Sequence, residues 1–188
     1  LGNALKEQGM LEDAIEAYKK ALTIKPDYEA ALNNVVVVLK TQGDSGEKRI
    51  KQALETYNKA QTLKKAQTLK AANAHSHFSR ALDLQLEGKL DEAIVAYRKA
   101  LTIKPDYTEA CSNMGIALKG QGKLEEAIEA YRKAITIKPD YADAYYNMGN
   151  ALKDQGKLEE AIEAYNKALV IKPDYEVALN NVVVALKA

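Results

Sequence analysis

Apolar residues recur at helical spacing in two successive segments of residues 142–175. In the first segment they are Ala144, Met148, Ala151 and Leu152. In the second, one helical face carries Leu158, Ala161, Ile162 and Tyr165. Gly156 lies between the segments and Pro173 follows the second. Because glycine readily takes the left-handed conformation that closes a helix, and proline cannot continue one, the pattern predicts two antiparallel helices joined by a turn.

The same pattern returns every 34 residues. Its glycines are Gly88, Gly122 and Gly156, and its prolines are Pro105, Pro139 and Pro173. A fixed period of this length is typical of stacked repeats, each of which is one supersecondary unit. The sequence therefore predicts an all-α protein, an α-solenoid of antiparallel helix pairs.

The period fails between Pro26 and Pro105, which lie further apart than two repeats allow. Extra residues occur between Gly43 and Ala53, and the run KAQTLK is written twice in residues 59–70, where a proline is expected. Residues 47–87 contain neither glycine nor proline. We therefore predict one extended helix from about residue 48 to about residue 72, with a break at Asn73 that caps the next helix.

These boundaries divide a single predicted solenoid, residues 1–188, into six parts. A truncated repeat (1–28) precedes an irregular repeat with insertions (29–73). Three regular repeats (74–107, 108–141 and 142–175) and a terminal half-repeat (176–188) follow. We count positions within each repeat from Ala142, so that Met148 is at position 7.

The residues at fixed positions of this unit resemble the tetratricopeptide repeat (TPR). They are Met148, Gly149, Gly156, Ala161, Tyr165, Ala168 and Pro173, with Tyr145 where that family usually has Trp. The match returns repeat after repeat and covers nearly the whole chain, so it is highly specific. The resemblance implies a right-handed superhelix whose first helices line a concave face.

Composition and charge exclude several functional classes. Lys and Arg (27) nearly balance Asp and Glu (26), which gives no electrostatic case for nucleic acid or an anionic membrane. The single cysteine, Cys111, cannot form an intrachain disulfide and is predicted to be buried. His75 and His77 are two residues apart, so they do not face one another on a helix as metal ligands. We predict no catalytic residues, no cofactor and no metal.

No run is apolar enough to span a bilayer, and no signal peptide is present, which predicts a cytoplasmic location. The chain opens on Leu1 in the middle of a helix, which leaves open a missing upstream segment.

Asparagine occupies position 6 of several first helices. The residues are Asn34, Asn113, Asn147 and Asn181, and Ser79 interrupts the series. An amide both donates and accepts, so it can bond an extended peptide backbone without reading its sequence. The series resembles the asparagine ladder of the O-linked N-acetylglucosamine transferase repeat arm, which implies that these residues grip a polypeptide. The other interpretation is that asparagine is simply favoured in the packing of this repeat type.

Residues around the asparagines complete the predicted peptide site. Tyr146 and Asn150 flank it, and Lys119 and Lys153 at position 12 form a basic edge. We therefore predict a non-enzymatic interaction scaffold that binds a protein or peptide segment. A related alternative is the substrate-docking repeat arm of a larger enzyme.

A second hypothesis is self-association. The chain ends on a valine-rich first helix, in which Leu179, Val182, Val183 and Leu186 have no following helix to cover them. An exposed apolar face of this kind suggests a homo-oligomer, by dimerisation or end-to-end stacking. The competing interpretation is that the chain is a fragment of a longer array, in which missing residues cover this face.

Overall fold

The computed structural model describes residues 1–7, 9–25, 28–40 and 44–186. Within these residues the chain forms ten α-helices and no strand. The helices are α1 (Gly2–Glu7), α2 (Leu11–Ile24), α3 (Glu29–Lys40), α4 (Asp44–Leu86), α5 (Leu90–Ile103), α6 (Thr108–Gly120), α7 (Leu124–Ile137), α8 (Ala142–Asp154), α9 (Leu158–Ile171) and α10 (Glu176–Ala185). The prediction of an all-α helical repeat is confirmed. The predicted helix stops at Pro26 and Gly43 lie outside the described residues.

The chain divides into two compact units. The N-terminal unit, Leu1–Leu69, contains α1, α2, α3 and the first part of α4. The C-terminal unit, Lys70–Ala188, contains the rest of α4 and α5 to α10.

In the C-terminal unit, successive helices from α5 to α10 each pack against the next, and the first helices α6 and α8 also contact one another. The three second helices α5, α7 and α9 bury Tyr97, Tyr131 and Tyr165 completely. Alanines surround these rings, because small side chains let neighbouring helices approach closely.

Two of the three buried tyrosines of the regular repeats, Tyr131 and Tyr165, pack against a glycine on the facing helix. A Cβ atom added at Gly115 would lie 2.6 Å from the Tyr131 ring, and one at Gly149 would lie 2.5 Å from the Tyr165 ring. Both distances are far below van der Waals contact, so a side chain at Gly115 or Gly149 would displace the ring. Position 8 of the first regular repeat is Ala81 instead.

The turns follow the predicted chemistry. Gly88, Gly122 and Gly156 have φ of +76°, +75° and +77°, the left-handed conformation that closes a first helix. After each second helix, a lysine ammonium lies over the tyrosine ring three residues on. The distances to the ring centroid are 4.6 Å for Lys104–Tyr107, 5.3 Å for Lys138–Tyr141 and 4.7 Å for Lys172–Tyr175.

Helix α4 runs for 43 residues without interruption. The predicted extended helix is confirmed, but its predicted end near residue 72 and the break at Asn73 are wrong. Good helix formers continue on both sides of Asn73, and the helix gains a buried face again from Ala74 onward. Between its two packed parts, every residue from 62 to 73 is exposed.

Candidate functional site

The first helices of the C-terminal unit carry the predicted site residues at a few repeated positions, where most side chains are accessible and Ser112 is buried. We call this set the first-helix face; it consists of positions 5, 6, 9 and 12 of α4, α6 and α8, and of positions 5, 6 and 9 of α10. Asn113, Asn147 and Asn181 occupy position 6 on α6, α8 and α10, and all three are half-buried. Positions 5, 6, 9 and 12 fall on one side of a helix, so each first helix presents its predicted residues on one side. Asn34 belongs to the N-terminal unit.

An amide pair links α8 to α10. The Asn181 side-chain amide donates to Asn150 Oδ1 at 2.9 Å, and the Tyr165 hydroxyl donates to the same oxygen at 2.8 Å. Burial raises the pKa of Tyr165 to about 12. The side chains of Asn150 and Asn181 are therefore held in fixed orientations.

The N-terminal unit repeats this arrangement independently. The Asn34 side-chain amide donates to Asn3 Oδ1 at 3.2 Å, and the Tyr18 hydroxyl donates to the same oxygen. Asn3 stands at position 9, as Asn150 does. The arrangement therefore depends on an asparagine at position 9 next to one at position 6 of the following repeat.

The middle of the first-helix face lacks that asparagine. Position 9 is Leu82 on α4 and Ile116 on α6, and Ile116 is 38% exposed. The hydroxyl of Tyr131, which corresponds to that of Tyr165, is buried and has no hydrogen-bond partner among the described residues. Burial also raises the pKa of Tyr131. The surface here is apolar at position 9, and its polar residues stand at positions 6 and 12.

Aromatic side chains occupy position 5 at two places. The Tyr146 ring lies 5.1 Å from the Tyr175 ring and 6.0 Å from the Tyr165 ring, measured between centroids. Phe78 lies 4.8 Å from the ring of Tyr107. Tyr146, predicted to flank the asparagines, is therefore fixed by packing against neighbouring rings.

The two predicted lysines differ in their surroundings. The Lys119 ammonium forms an ion pair of 2.8 Å with Asp154 of the next repeat, and both side chains are partly exposed. Part of its charge is thus neutralised within the protein, which leaves less of it for a ligand. Lys153 is half-buried at the equivalent position of α8.

The remaining candidate groups lie in ordinary packing environments. Cys111 is buried, as predicted, and burial raises the pKa of its thiol. The His75 ring lies 3.1 Å from the Tyr107 hydroxyl. Over the part of the chain that the structure describes, no three metal-ligating side chains come together. Over the same residues, no helix is both long and apolar enough to cross a membrane.

The terminal helix α10 carries the residues predicted for self-association. Leu179, Val183 and Leu186 are 53%, 42% and 69% exposed. The prediction for Val182 is wrong: it is 9% exposed and packs into the core, because α10 covers one face against α9.

Sequence spacing places Tyr165 on the apolar face of its helix and indicates no role for Asp154, so it does not reveal these partners of the site. The alternation of asparagine and aliphatic residues at position 9 was visible in the sequence. The effect of this alternation on the tyrosine hydroxyls could not be predicted, because the hydrogen bond from Tyr165 joins two helices of one repeat.

Paired helices that repeat with the same turns, buried tyrosines and accessible first-helix side chains define a helical-repeat protein. The family model for the TPR repeat matches residues 2–43, 86–122 and 117–156, and the model for the tetratricopeptide repeat matches residues 142–175. The chain belongs to the tetratricopeptide repeat family. Residues 44–85, which these matches leave out, lie within α4.

Solved structures with this fold include several TPR domains. The first TPR of Spaghetti (RPAP3), bound to the HSP90 peptide SRMEEVD, is 26% identical with a TM-score of 0.61, over 62% of this chain and 93% of that one. The O-GlcNAc transferase of Thermobaculum terrenum, in a mutant form, is 32% identical with a TM-score of 0.58. That match covers 62% of this chain and only 22% of the transferase.

The TPR domain of Sgt2 from Aspergillus fumigatus is 23% identical with a TM-score of 0.58, over 61% of this chain and 77% of that one, and shows the shared fold. No curated protein sequence matches this chain.

Proposed function

We propose that the chain is a non-enzymatic scaffold whose first-helix face binds an extended peptide segment of a partner protein. Membership of the tetratricopeptide repeat family supports a protein-interaction module. The relative at 26% identity was solved with a peptide bound, which supports a peptide as the ligand class.

The observation that carries the proposal is the alignment of Asn113, Asn147 and Asn181 on three successive first helices. All three are accessible, α6 contacts α8, and the Asn150–Asn181 hydrogen bond joins α8 to α10. Packed helices lie ~8–10 Å apart and an extended chain advances ~3.3 Å per residue. One repeat therefore spans about three residues of an extended peptide, so each asparagine meets a separate peptide group.

The charge of the face supports a ligand unlike the acidic peptide of that relative. Glu109 and Asp143 are exposed at position 2 of α6 and α8, and Lys119 is already paired with Asp154. A cluster of ligand carboxylates would meet Glu109, Asp143 and the half-buried Lys153, and a Lys119 whose charge is already paired. We therefore expect neutral or basic peptides to bind better than acidic ones.

The test uses peptides enriched on the wild-type protein from a phage-displayed library of random sequences. A triple variant, Asn113→Ala, Asn147→Ala and Asn181→Ala, removes the three amides from the face. At about 1 kcal/mol for each lost hydrogen bond, affinity falls roughly 100-fold in isothermal titration calorimetry.

The matched control replaces three exposed asparagines elsewhere, with Asn58→Ala, Asn73→Ala and Asn166→Ala, and retains wild-type affinity. Unchanged affinity of the first triple variant, with unchanged circular dichroism and melting temperature, contradicts the proposal.

A second candidate is self-association through α10. Its support is a comparison with α3, which has nearly the same sequence: Leu32 and Leu39 are 4% and 0% exposed there, whereas the equivalent Leu179 and Leu186 are 53% and 69% exposed. Light scattering over a range of concentrations tests it. Association that Leu186→Glu abolishes supports this function, and a monomer at every concentration contradicts it.

The match to the transferase supports a third candidate, a substrate-docking arm of a larger enzyme. Such an arm binds its peptide through the same first-helix face. Selection of peptides that also become modified by the complete protein distinguishes it from an independent scaffold.

A further inference from the structure

We propose that position 9 of the first-helix face sets the side-chain specificity of the bound peptide. Leu82, Ile116 and Val184 each contact an aliphatic ligand side chain, whereas Asn150, together with Asn181, grips only the peptide backbone. This inference rests on the proposed peptide-binding function and assigns a different ligand chemistry to successive repeats.

The amide pair fits one peptide group. Asn150 Oδ1 already accepts two hydrogen bonds, from Tyr165 and from Asn181. The polar groups left over are the amino group of Asn150 and the carbonyl oxygen of Asn181, one donor and one acceptor side by side. A backbone amide offers the complementary acceptor and donor, and every residue type offers them equally.

The other three repeats offer no such pair at position 9. Ile116 is 38% and Val184 is 57% exposed, and Leu82 is half-buried. Below Ile116 the Tyr131 hydroxyl is buried and has no hydrogen-bond partner among the described residues, so it offers none to a ligand at position 9. A polar ligand side chain over Ile116 loses hydration and finds no hydrogen-bond partner at position 9 itself, whereas an aliphatic one gains from burial.

Because the repeats are evenly spaced, the different residues at position 9 predict a sequence motif in the bound peptide. About three ligand residues correspond to one repeat, from the helix separation and the extended rise per residue. Leu82 and Ile116 then select two aliphatic residues about three apart. The repeat of Asn150 selects no particular ligand side chain. Val184 selects a third aliphatic residue, about six ligand residues after the second. The motif is asymmetric, so it also defines the direction of the bound peptide.

The experiment selects peptides from the same random library on three forms of the full chain. Wild-type protein is expected to enrich the motif with one gap. Asn150→Ile is expected to fill the gap with a fourth aliphatic preference. Ile116→Asn is expected to remove the middle preference and to weaken wild-type-selected peptides about tenfold, the loss of one buried aliphatic contact. Ile116→Val keeps an aliphatic residue and is expected to retain the wild-type motif.

Three outcomes separate the two proposals. Motifs that change with position 9 as described support this inference. Peptides that are enriched with the same motif on all variants overturn the inference and leave backbone binding intact. Absence of any enriched peptide on the wild-type protein overturns the proposed function, and this inference with it.

Discussion

Tyr131 and Tyr165 occupy the same position in successive repeats, but their hydroxyls differ in hydrogen bonding. Both rings are fully buried against a glycine of the facing helix. The Tyr165 hydroxyl donates to Asn150 at 2.8 Å, whereas the Tyr131 hydroxyl has no partner among the described residues, because Ile116 replaces that asparagine. A buried hydroxyl without a hydrogen bond costs about 1–3 kcal/mol. The repeat of Tyr131 therefore carries a destabilising group that its neighbour does not.

Matched phenylalanine substitutions test this difference. Tyr165→Phe removes a satisfied hydroxyl and leaves Asn150 with one fewer donor, so the free energy of unfolding is expected to fall by about 1 kcal/mol. Tyr131→Phe removes an unsatisfied hydroxyl and is expected to leave that free energy unchanged or to raise it by up to about 1 kcal/mol. Urea denaturation measures both. Equal losses for the two variants contradict the assignment.

At the residue scale, the sequence predicted the aligned asparagines and the buried Cys111, because helical spacing alone places them. It did not predict the bonds among Asn150, Asn181 and Tyr165, which join three helices and depend on distances between them. Val182 was misplaced for a related reason. Periodicity shows that α10 has an apolar face, but not which part of that face α9 already covers.

Helix α4 shows what happens when a repeat lacks the proline that normally ends its second helix. Where regular repeats place a proline, this chain places a second KAQTLK, so the helix that should end continues into the next first helix. Absence of glycine and proline was enough to predict an extended helix. Its end was not predictable, because Asn73 caps a helix only where the residues before it leave the helical conformation. No neighbouring residue forces that change.

The exposed middle of α4 is expected to be the first site of proteolysis. Residues 62–73 bury no side chain, so local opening there breaks helical hydrogen bonds but no tertiary packing. Limited trypsin digestion, followed by mass spectrometry, is expected to cut first at Lys65 or Lys70. Lys133 and Lys167 are also exposed but lie on packed helices, and they serve as internal controls. First cleavage at either control residue contradicts this expectation.

On the scale of the whole molecule, buried tyrosines make folding sensitive to alkali. Burial raises the pKa of Tyr97 and of Tyr165 to about 12, whereas an unfolded tyrosine titrates near ~10. Above pH ~10 the unfolded chain loses protons that the folded chain keeps, so the free energy of unfolding falls as pH rises toward 12. Below pH ~10 both states stay protonated, and these tyrosines cause no pH dependence.

Urea midpoints measured from pH 8 to pH 12 test this expectation. The Tyr165→Phe variant provides the comparison. It lacks one of the shifted groups and is expected to lose less stability than wild-type protein between pH 10 and pH 12. Parallel losses in the two proteins contradict the role of Tyr165.

The repeat fold of the molecule was predictable, because its period and its turn residues recur in the sequence. The location of the peptide site on the first helices was predicted through the same family resemblance, and it stays a proposal. A cytoplasmic location likewise stays a prediction of the sequence. The ligand specificity of this site could not be predicted from the sequence, because it depends on which side chains of successive helices are neighbours.

The central claim is that Asn113, Asn147 and Asn181 contact a bound peptide. Side-chain amide resonances of individual asparagines can be followed by NMR while a library-selected peptide is added. We expect the signals of these three residues to shift in proportion to peptide bound, while those of the exposed Asn58, Asn73 and Asn166 stay unchanged. Saturable binding with no shift at Asn113, Asn147 and Asn181 would contradict the account.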